Sequence, residues 1–325
     1  MNENIKNFNA SALTSPLIDN KTYRILSLDG GGSKGFYSLG VLREIEDLID
    51  RPLCEHFDLV FGTSTGAIIA ALIALGYRVA DIYDLYKEYV PAIMKARLPK
   101  KRSAALCALA NQVFQDKQFD AFKTDIGIVA VKWRMETPMI FKNNIQLSYG
   151  RLGTFVPGFG CTISEAVQAS CSAYPFFLRK TVTTSEGKSI ELVDGGYCAN
   201  NPTLFAIANA IVALKITPEN LRVVNVGVGA YPEPTHSLMN WFSKKFLLGV
   251  QLLQKTMDIN TQSMDQLRTL LYRDIPTIRI SESFEAPDMA TSFLETNLEK
   301  LNVLYQRGRK SYAMCERPLQ EILLK

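Results

Sequence analysis

A serine flanked by glycines lies at residues 62–66, where the sequence reads GTSTG. The G-x-S-x-G pattern is typical of a nucleophile elbow, a sharp strand-to-helix turn that exposes a serine hydroxyl at the edge of an α/β sheet. In so tight a turn a Cβ at Gly62 or Gly66 would collide with the crossing backbone. The pattern predicts that Ser64 is the nucleophile of a serine acyl hydrolase. The alternative is a serine that caps the start of a core helix.

Asp194 is a candidate for the base that a serine nucleophile needs. It ends the apolar run 190–193 and is followed by Gly195 and Gly196, which predicts a position where a strand enters a tight turn. We expect it at the carboxyl edge of the sheet, near Ser64. A carboxylate that is desolvated beside an apolar substrate has a raised pKa and can accept the serine proton. The alternative is an aspartate that only caps the turn.

The chain has two histidines that could act as the base instead. His56 comes eight residues before Ser64, at the start of the same predicted strand, so we expect it near the opposite end of the sheet. The order Ser64, Asp194, His236 is that of an α/β-hydrolase triad. His236 also fits a surface residue, because it follows a proline-punctuated stretch that leads into a helix. An esterase with a Ser64–Asp194–His236 triad therefore stays open.

Three consecutive glycines, Gly30, Gly31 and Gly32, occur in the segment LDGGGSKG. A glycine loop at a helix N-terminus directs several backbone N–H groups toward one point, with no side chain in the way. Such donors stabilise a tetrahedral oxyanion, each by a few kcal/mol. The loop predicts the oxyanion hole of the same hydrolase.

The same loop also fits the G-x-G-x-x-G pattern of a dinucleotide-binding module, with Gly35 as its last glycine. Glu55 and Asp58 lie about twenty residues further on, where such a module carries the acid that binds ribose. An exposed serine after the next strand is not needed in a nucleotide site, which favours the hydrolase. Phe36 stands where a Walker A loop has lysine, which excludes that loop.

The predicted elements place these residues at strand ends. Apolar runs indicate strands at 24–28, 57–61, 125–133, 138–142, 190–193 and 221–228, and apolar patterns indicate helices at 35–49, 67–75, 238–271 and 294–324. This alternation predicts an α/β fold with a wound, mostly parallel central sheet flanked by helices. The last two helices either cover the mouth of the active site or complete the core, and we favour the core.

Three motifs in this order resemble the patatin-like phospholipase family over residues 22–230: DGGG with Lys34, GTSTG, and DGG followed by Asn200, Asn201 and Pro202. The segment ASCSAYP at 169–175 is similar to that family as well. The resemblance implies a three-layer patatin-like fold and a Ser64–Asp194 dyad without histidine. It also implies an oxyanion hole at the Gly30–Gly32 amides and hydrolysis of phospholipid acyl esters without calcium, another metal or a cofactor. Lys34 replaces the arginine of many members and keeps its charge.

Within the family, a compact chain without an appended domain is similar to the nucleotide-activated bacterial phospholipase effectors of antiphage signalling. This similarity implies a cyclic-nucleotide activator and a homo-oligomer on activation. It also implies a cytoplasmic enzyme that binds the inner membrane peripherally when active, with the phospholipid surface as its substrate.

Length and composition fit one α/β domain: 325 residues, of which 47% are hydrophobic and 21% charged. We expect a flexible leader at 1–20, a catalytic domain at 21–230 and a helical extension at 231–325 that packs on the same domain. No signal peptide is visible at the N-terminus. The six cysteines show no C-x-x-C spacing, which predicts neither a metal site nor a disulfide framework.

Two basic segments could contact a membrane or an anionic activator: KARLPKKR at 95–102 and WFSKKF at 241–246. The alternative is a solvated basic surface, and a net charge of +4 is too small to require a polyanionic partner. No nucleic-acid motif accompanies them. Residues 59–77 form an uncharged stretch long enough to span a membrane, but GTSTG interrupts it, so we expect core elements there.

Overall fold

The computed structural model describes residues 21–150, 153–232 and 241–325. Within these residues, eight strands form one sheet in the order β5-β6-β3-β2-β1-β7-β8, with β4 also paired to β3. The strands are β1 Tyr23–Leu28, β2 Leu59–Thr63, β3 Asp125–Lys132, β4 Thr137–Lys142, β5 Lys180–Thr183, β6 Ser189–Asp194, β7 Leu221–Val226 and β8 Thr277–Ile280.

The described helices flank this sheet. They are α1 Gly35–Ile49, α2 Thr65–Ala74, α3 Val79–Lys95, α4 Pro99–Phe114, α5 Ile163–Ser170, α6 Gly196–Ala199, α7 Thr203–Ala208, α8 Trp241–Leu271 and α9 Leu298–Leu323. Successive side chains of β1 point to opposite faces, so Leu26 and Leu28 join one buried cluster and Ile25 joins another. Helices α1, α2 and α9 contribute to the first cluster, and α7 contributes to the second. The three-layer α/β fold is therefore confirmed.

The direction of the strands is mixed. Strands β3, β2, β1, β7 and β8 run parallel. In contrast, β4 and β6 are antiparallel to β3, and β5 is antiparallel to β6. The sequence predicted six of the strands with small shifts of their ends, and it missed β5 and β8. Both missed strands have four residues and lie at the two ends of the strand order, so they carry little hydrophobic pattern.

The residues after 231 are not only helical. Strand β8 pairs in parallel with β7, from Val223 opposite Thr277 to Val226 opposite Ile280. Helix α9 packs closely on α1, because a Cβ at Gly308 would lie 2.0 Å from the carbonyl oxygen of Tyr37. The central sheet thus crosses the predicted boundary at 230, and the C-terminal part completes the same body.

Helix α2 is almost entirely buried between its neighbours, and its apolar residues belong to the core. This agrees with the expectation that the uncharged stretch at 59–77 is not a membrane span. Among the described helices, none combines the length and the apolar character that crossing a bilayer requires.

Candidate active site

Ser64 lies at the sharp turn between β2 and α2. Its backbone has φ 54° and ψ −121°, a strained conformation for a residue with a side chain. A Cβ at Gly62 would lie 2.3 Å from the carbonyl oxygen of Gly66, and one at Gly66 would lie 2.3 Å from that of Leu28. The two glycines therefore permit the close backbone crossing that the elbow needs, and the serine side chain remains partly accessible.

Asp194 reaches Ser64 from the opposite direction. Strand β2 pairs with β3 only as far as Thr63 opposite Val129, whereas β3 continues for three more residues. Strand β6 pairs with this remainder and ends with Asp194 opposite Ala130. Strand β4 pairs with one edge of β3, so β2 and β6 both pair with the other edge. The carboxyl ends of β2 and β6 therefore meet head to head. Asp194 thus lies beside Ser64 as expected, but on an antiparallel strand.

Burial dominates the electrostatics of Asp194. The residue is 0% exposed, and burial raises the pKa of its carboxyl to about 7. The backbone N–H of Gly196 donates to its Oδ1 at 2.7 Å, and this bond and the nearby Ser64 hydroxyl both lower the pKa. Its Oδ2 is buried and has no hydrogen-bond partner of standard geometry among the described residues. A carboxylate oxygen beside Ser64 is thus available to accept a proton.

The segment 170–172 holds both residues in place. The N–H of Ser64 donates to the Ser170 hydroxyl at 2.9 Å, and that hydroxyl donates to the carbonyl oxygen of Val129. The N–H of Asp194 donates to the carbonyl oxygen of Ser172 at 3.0 Å. Ser170 lies in the ASCSAYP segment, but no sequence pattern indicated its role, because its partner is 106 residues away.

The glycine loop lies next to the elbow, since Gly30, Gly31 and Gly32 line the same cleft as Ser64. The N–H of Gly30 already donates to the carbonyl oxygen of Asn200 at 2.9 Å, so it is not free for an oxyanion. The amides of Gly31 and Gly32 make no hydrogen bond to another described residue, which narrows the predicted oxyanion hole to these two. Gly32 has φ 58°, and a Cβ there would lie 2.4 Å from the carbonyl oxygen of Phe293.

The other motif glycines permit close contacts around the site. A Cβ at Gly35 would lie 2.7 Å from the Thr65 hydroxyl, and one at Gly195 would lie 2.3 Å from the carbonyl oxygen of Val129. A Cβ at Gly196 would lie 2.9 Å from Oδ1 of Asn200. These glycines bring the three motifs into contact.

A buried ion pair anchors the start of the glycine loop. Asp29 is 2% exposed, and its Oδ2 accepts from Arg279 of β8 at 2.9 Å. Asn225 donates to Oδ1 of Asp29 at 2.8 Å and also receives a bond from Arg279. The role of Arg279 was not predicted, because Arg279 lies 250 residues from its partner on a strand that the sequence pattern did not indicate.

The cleft beside Ser64 encloses about 780 Å³, including its open mouth. Helices α2, α3 and α4 supply an apolar wall with Ile68, Val90, Ile93, Met94 and Leu106. Lys34 also lines the cleft and is 3% exposed. Burial lowers the pKa of its ammonium, and the carboxylate of Asp258 opposes this effect. The cleft therefore fits an acyl chain and has one cation near its reactive end.

The described residues support neither the esterase triad nor the dinucleotide-binding module. His56 precedes β2 whereas Ser64 follows it, so the length of the strand separates them. Burial and the nearby Arg24 lower the pKa of His56 to about 4. His236 lies outside the described residues. Asp58 accepts from the N–H of Arg24 at 2.8 Å, and both Asp58 and Glu55 precede β2, whereas the glycine loop follows the parallel strand β1, so neither acid lies at the glycine-loop end of the sheet.

No group of three or more His, Cys, Asp or Glu residues within the described ranges could hold a metal ion. The six cysteines are all free thiols.

Comparison with known proteins identifies the family of this chain. The family model described as "Patatin-like phospholipase" matches residues 26–207. The chain is 60% identical over 314 residues to a cUMP-AMP-activated phospholipase of Escherichia coli, covering 97% of this chain and 98% of that protein. It is 27% identical over 238 residues to a cGAMP-activated phospholipase of Pseudomonas aeruginosa, covering 69% and 68% of the two chains. Among solved structures, VipD from Legionella pneumophila aligns with 93% of this chain and 67% of its own, at 12% identity and a TM-score of 0.47. On the family match and the 60% identical relative, this chain belongs to the patatin-like phospholipase family.

Proposed function

We propose that this protein is a lipid acyl hydrolase that cleaves phospholipid acyl esters through Ser64 and Asp194. The observation that carries the proposal is the head-to-head meeting of β2 and β6, which brings an accessible serine beside a buried carboxyl with a pKa of about 7. Family membership supports the same chemistry. The esterase triad and the dinucleotide-binding module are not favoured.

In the first half of the reaction, Asp194 accepts the proton of the Ser64 hydroxyl as Oγ attacks the ester carbonyl carbon. The amides of Gly31 and Gly32 stabilise the oxyanion that forms. The protonated Asp194 then gives its proton to the departing alcohol, which leaves an acyl-enzyme on Ser64. In the second half, Asp194 takes a proton from the water that attacks the acyl-enzyme, and it gives this proton to Oγ of Ser64 as the bond to the acyl group breaks and the fatty acid is released.

The cleft supports a phospholipid as substrate. Its apolar wall matches the acyl chain, and Lys34 supplies a buried cation within reach of an anionic head group. The Lys34 ammonium lies 5.4 Å from the centroid of the Tyr231 ring, and Lys34 lines the cleft in which a head group would lie. A phosphate beside it would offset the cost of burying the ammonium.

Replacement of the nucleophile tests the proposal. Ser64→Ala should abolish hydrolysis of phospholipids and of a soluble fatty-acyl ester, while thermal melts show that the variant is folded. The parent should also be labelled by a fluorophosphonate probe, and the variant should not. Retained hydrolysis in Ser64→Ala would refute the assignment, and saturable NAD(P) binding that depends on Gly32 would favour the dinucleotide module instead.

We further propose that a cyclic nucleotide activates this enzyme, because the 60% identical relative is described as cUMP-AMP-activated. The active form would be a homo-oligomer that acts peripherally on the inner membrane from the cytoplasm. The antiphage role implied by the resemblance belongs to the same proposal.

A further inference from the structure

Asn200 binds both backbone polar groups of Gly30. The N–H of Gly30 donates to the carbonyl oxygen of Asn200 at 2.9 Å. The side-chain Nδ2 of Asn200 donates to the carbonyl oxygen of Gly30 at 3.2 Å. Asn200 is 4% exposed and lines the same cleft as Ser64. A residue 170 positions away in the sequence therefore fixes the first glycine of the loop that carries the amides of Gly31 and Gly32.

The orientation of the Asn200 side-chain amide follows from its second partner. The hydroxyl of Thr261 donates its single hydrogen to the carbonyl oxygen of Met257 at 3.0 Å, so it can only accept from Asn200, at 2.8 Å. Both hydrogens of Nδ2 are thus engaged, one by Gly30 and one by Thr261. Oδ1 of Asn200 is buried without a hydrogen-bond partner of standard geometry among the described residues. The side chain therefore gives up a bond to its oxygen and keeps its donor group on Gly30.

The bond from Nδ2 of Asn200 sets the direction of the next backbone amide. The peptide unit that joins Gly30 to Gly31 is planar and trans, so the N–H of Gly31 points opposite to the Gly30 carbonyl and away from Asn200. A peptide between two glycines meets little steric resistance to rotation, because neither side has a Cβ. Rotation by half a turn would put the carbonyl oxygen where the N–H now lies. The hydrogen bond from Asn200 resists that rotation.

We propose that Asn200 is a positioning residue that holds the N–H of Gly31 as an oxyanion donor. The proposal rests on the proposed function, because the donor matters only if an oxyanion forms beside Ser64. Helix α8 holds Asn200 in turn, since Asn260 accepts its backbone N–H at 2.9 Å and Thr261 accepts its side chain. The geometry of the oxyanion hole therefore depends on the position of α8.

Asn200→Leu tests the proposal, because it keeps the shape of the side chain and removes the donor to Gly30. With cUMP-AMP present, kcat for a soluble fatty-acyl ester should fall about 100-fold while KM changes little, since an oxyanion donor acts mainly in the transition state. The matching thionoester, in which sulfur replaces the carbonyl oxygen, is measured in parallel. Sulfur is a weak hydrogen-bond acceptor, so the ratio of ester kcat to thionoester kcat should fall at least about tenfold in the variant.

Asn143→Leu is the matched control. The Asn143 side chain also joins two backbone groups, since its Nδ2 donates to the carbonyl oxygen of Thr124 at 3.1 Å and its Oδ1 accepts from the N–H of Ile126 at 2.9 Å. These groups lie at the start of β3, at the far end of the sheet from Ser64. In this control kcat and the ratio of the two substrates should stay parental. Thermal melts check that both variants fold, and Asn200→Ala replaces Asn200→Leu if the larger side chain prevents folding.

The outcomes separate this proposal from the proposed function. Failure of the parent to hydrolyse the ester through Ser64, with cUMP-AMP present, would refute the proposed function. Hydrolysis through Ser64 with a parental kcat in the Asn200 variant would refute the role of Asn200 alone. A loss of kcat that is equal for ester and thionoester would also refute that role, because a merely structural effect slows both substrates alike. An equal fall of the ratio in Asn143→Leu would have the same meaning, since the effect would then not be specific to the glycine loop.

Discussion

At the residue scale, the reactivity of the site depends on the protonation of Asp194. Because burial raises its pKa to about 7, the carboxyl is largely protonated below neutral pH and cannot accept the Ser64 proton there. We expect kcat/KM for a soluble ester to fall about tenfold per pH unit below about pH 7 and to level off above it. A profile measured from acidic to alkaline pH checks this, and an inflection near pH 4 would contradict a buried base.

A histidine base would titrate in the same range, so the two mechanisms are separated by substitution. With Asp194 as the direct base, Asp194→Asn should lose several orders of magnitude in turnover, since the amide keeps the shape but cannot accept a proton. His236→Ala should change the rate only slightly and should keep the inflection near pH 7. A loss in His236→Ala comparable to that in Ser64→Ala, with an unchanged thermal melt, would establish the triad instead.

The same carboxyl has an effect on stability. Burial disfavours the charged form of the Asp194 carboxyl, so its pKa is raised in the folded state. The contribution of this carboxyl to stability is therefore complete below its unfolded pKa of about 4 and is lost as the pH rises to about 7. Asp194→Asn removes this loss. The free energy of unfolding of Asp194→Asn minus that of the parent should therefore rise between pH 5 and pH 8, by about 3 kcal/mol at most. Denaturant titrations at the two pH values measure the difference, and a constant difference would mean an ordinary pKa.

At the element scale, the sequence predicted those structural features that depend on residues close together in the chain. The elbow at Ser64 and the glycine loop each occupy one strand-turn-helix segment, so their residues indicated both the fold and the chemistry. The approach of β6 could not be predicted, because it depends on β3 extending beyond β2. Ser170 and Arg279 were missed for a similar reason, since each acts on a partner more than 100 residues away. Side-chain contacts of that length leave no periodicity in the sequence.

Strand β8 is expected to stabilise the catalytic core through the pair of Arg279 and Asp29. Arg279→Met should lower the free energy of unfolding by about 3 kcal/mol, because it leaves the Asp29 carboxylate buried without its cation. Adding Asp29→Asn should recover part of that loss, since the uncompensated charge is then removed. Denaturant titrations of the two single variants and the double variant form a double-mutant cycle. Additive effects would show that the pair is not coupled.

At the scale of the whole molecule, the part of the chain after 231 makes several of the contacts that hold the site together. Arg279 holds the start of the glycine loop through Asp29. The carbonyl oxygen of Phe293 accepts the N–H of Ser33 at 2.9 Å. Thr261 accepts a hydrogen bond from the side chain of Asn200 beside Gly30. These contacts come from β8, from the segment before α9 and from α8. A ligand or a neighbouring subunit that moved these elements would therefore change the geometry around Ser64, which gives activation from a distant site a physical route.

Activation by a cyclic nucleotide is the prediction that tests this route. Purified protein should hydrolyse a soluble ester slowly until cUMP-AMP is added, and the addition should also increase its assembly mass in mass photometry. The control ligands are cGAMP, other cyclic di- and trinucleotides, and the linear dinucleotide, because a specific activator should be distinguished from general anion binding. Vesicle substrates are measured in parallel, since binding to an interface could activate the enzyme without a nucleotide. A stable monomer with constitutive activity on both substrates, unaffected by every nucleotide, would show that the C-terminal contacts hold the site in a working geometry without any activator.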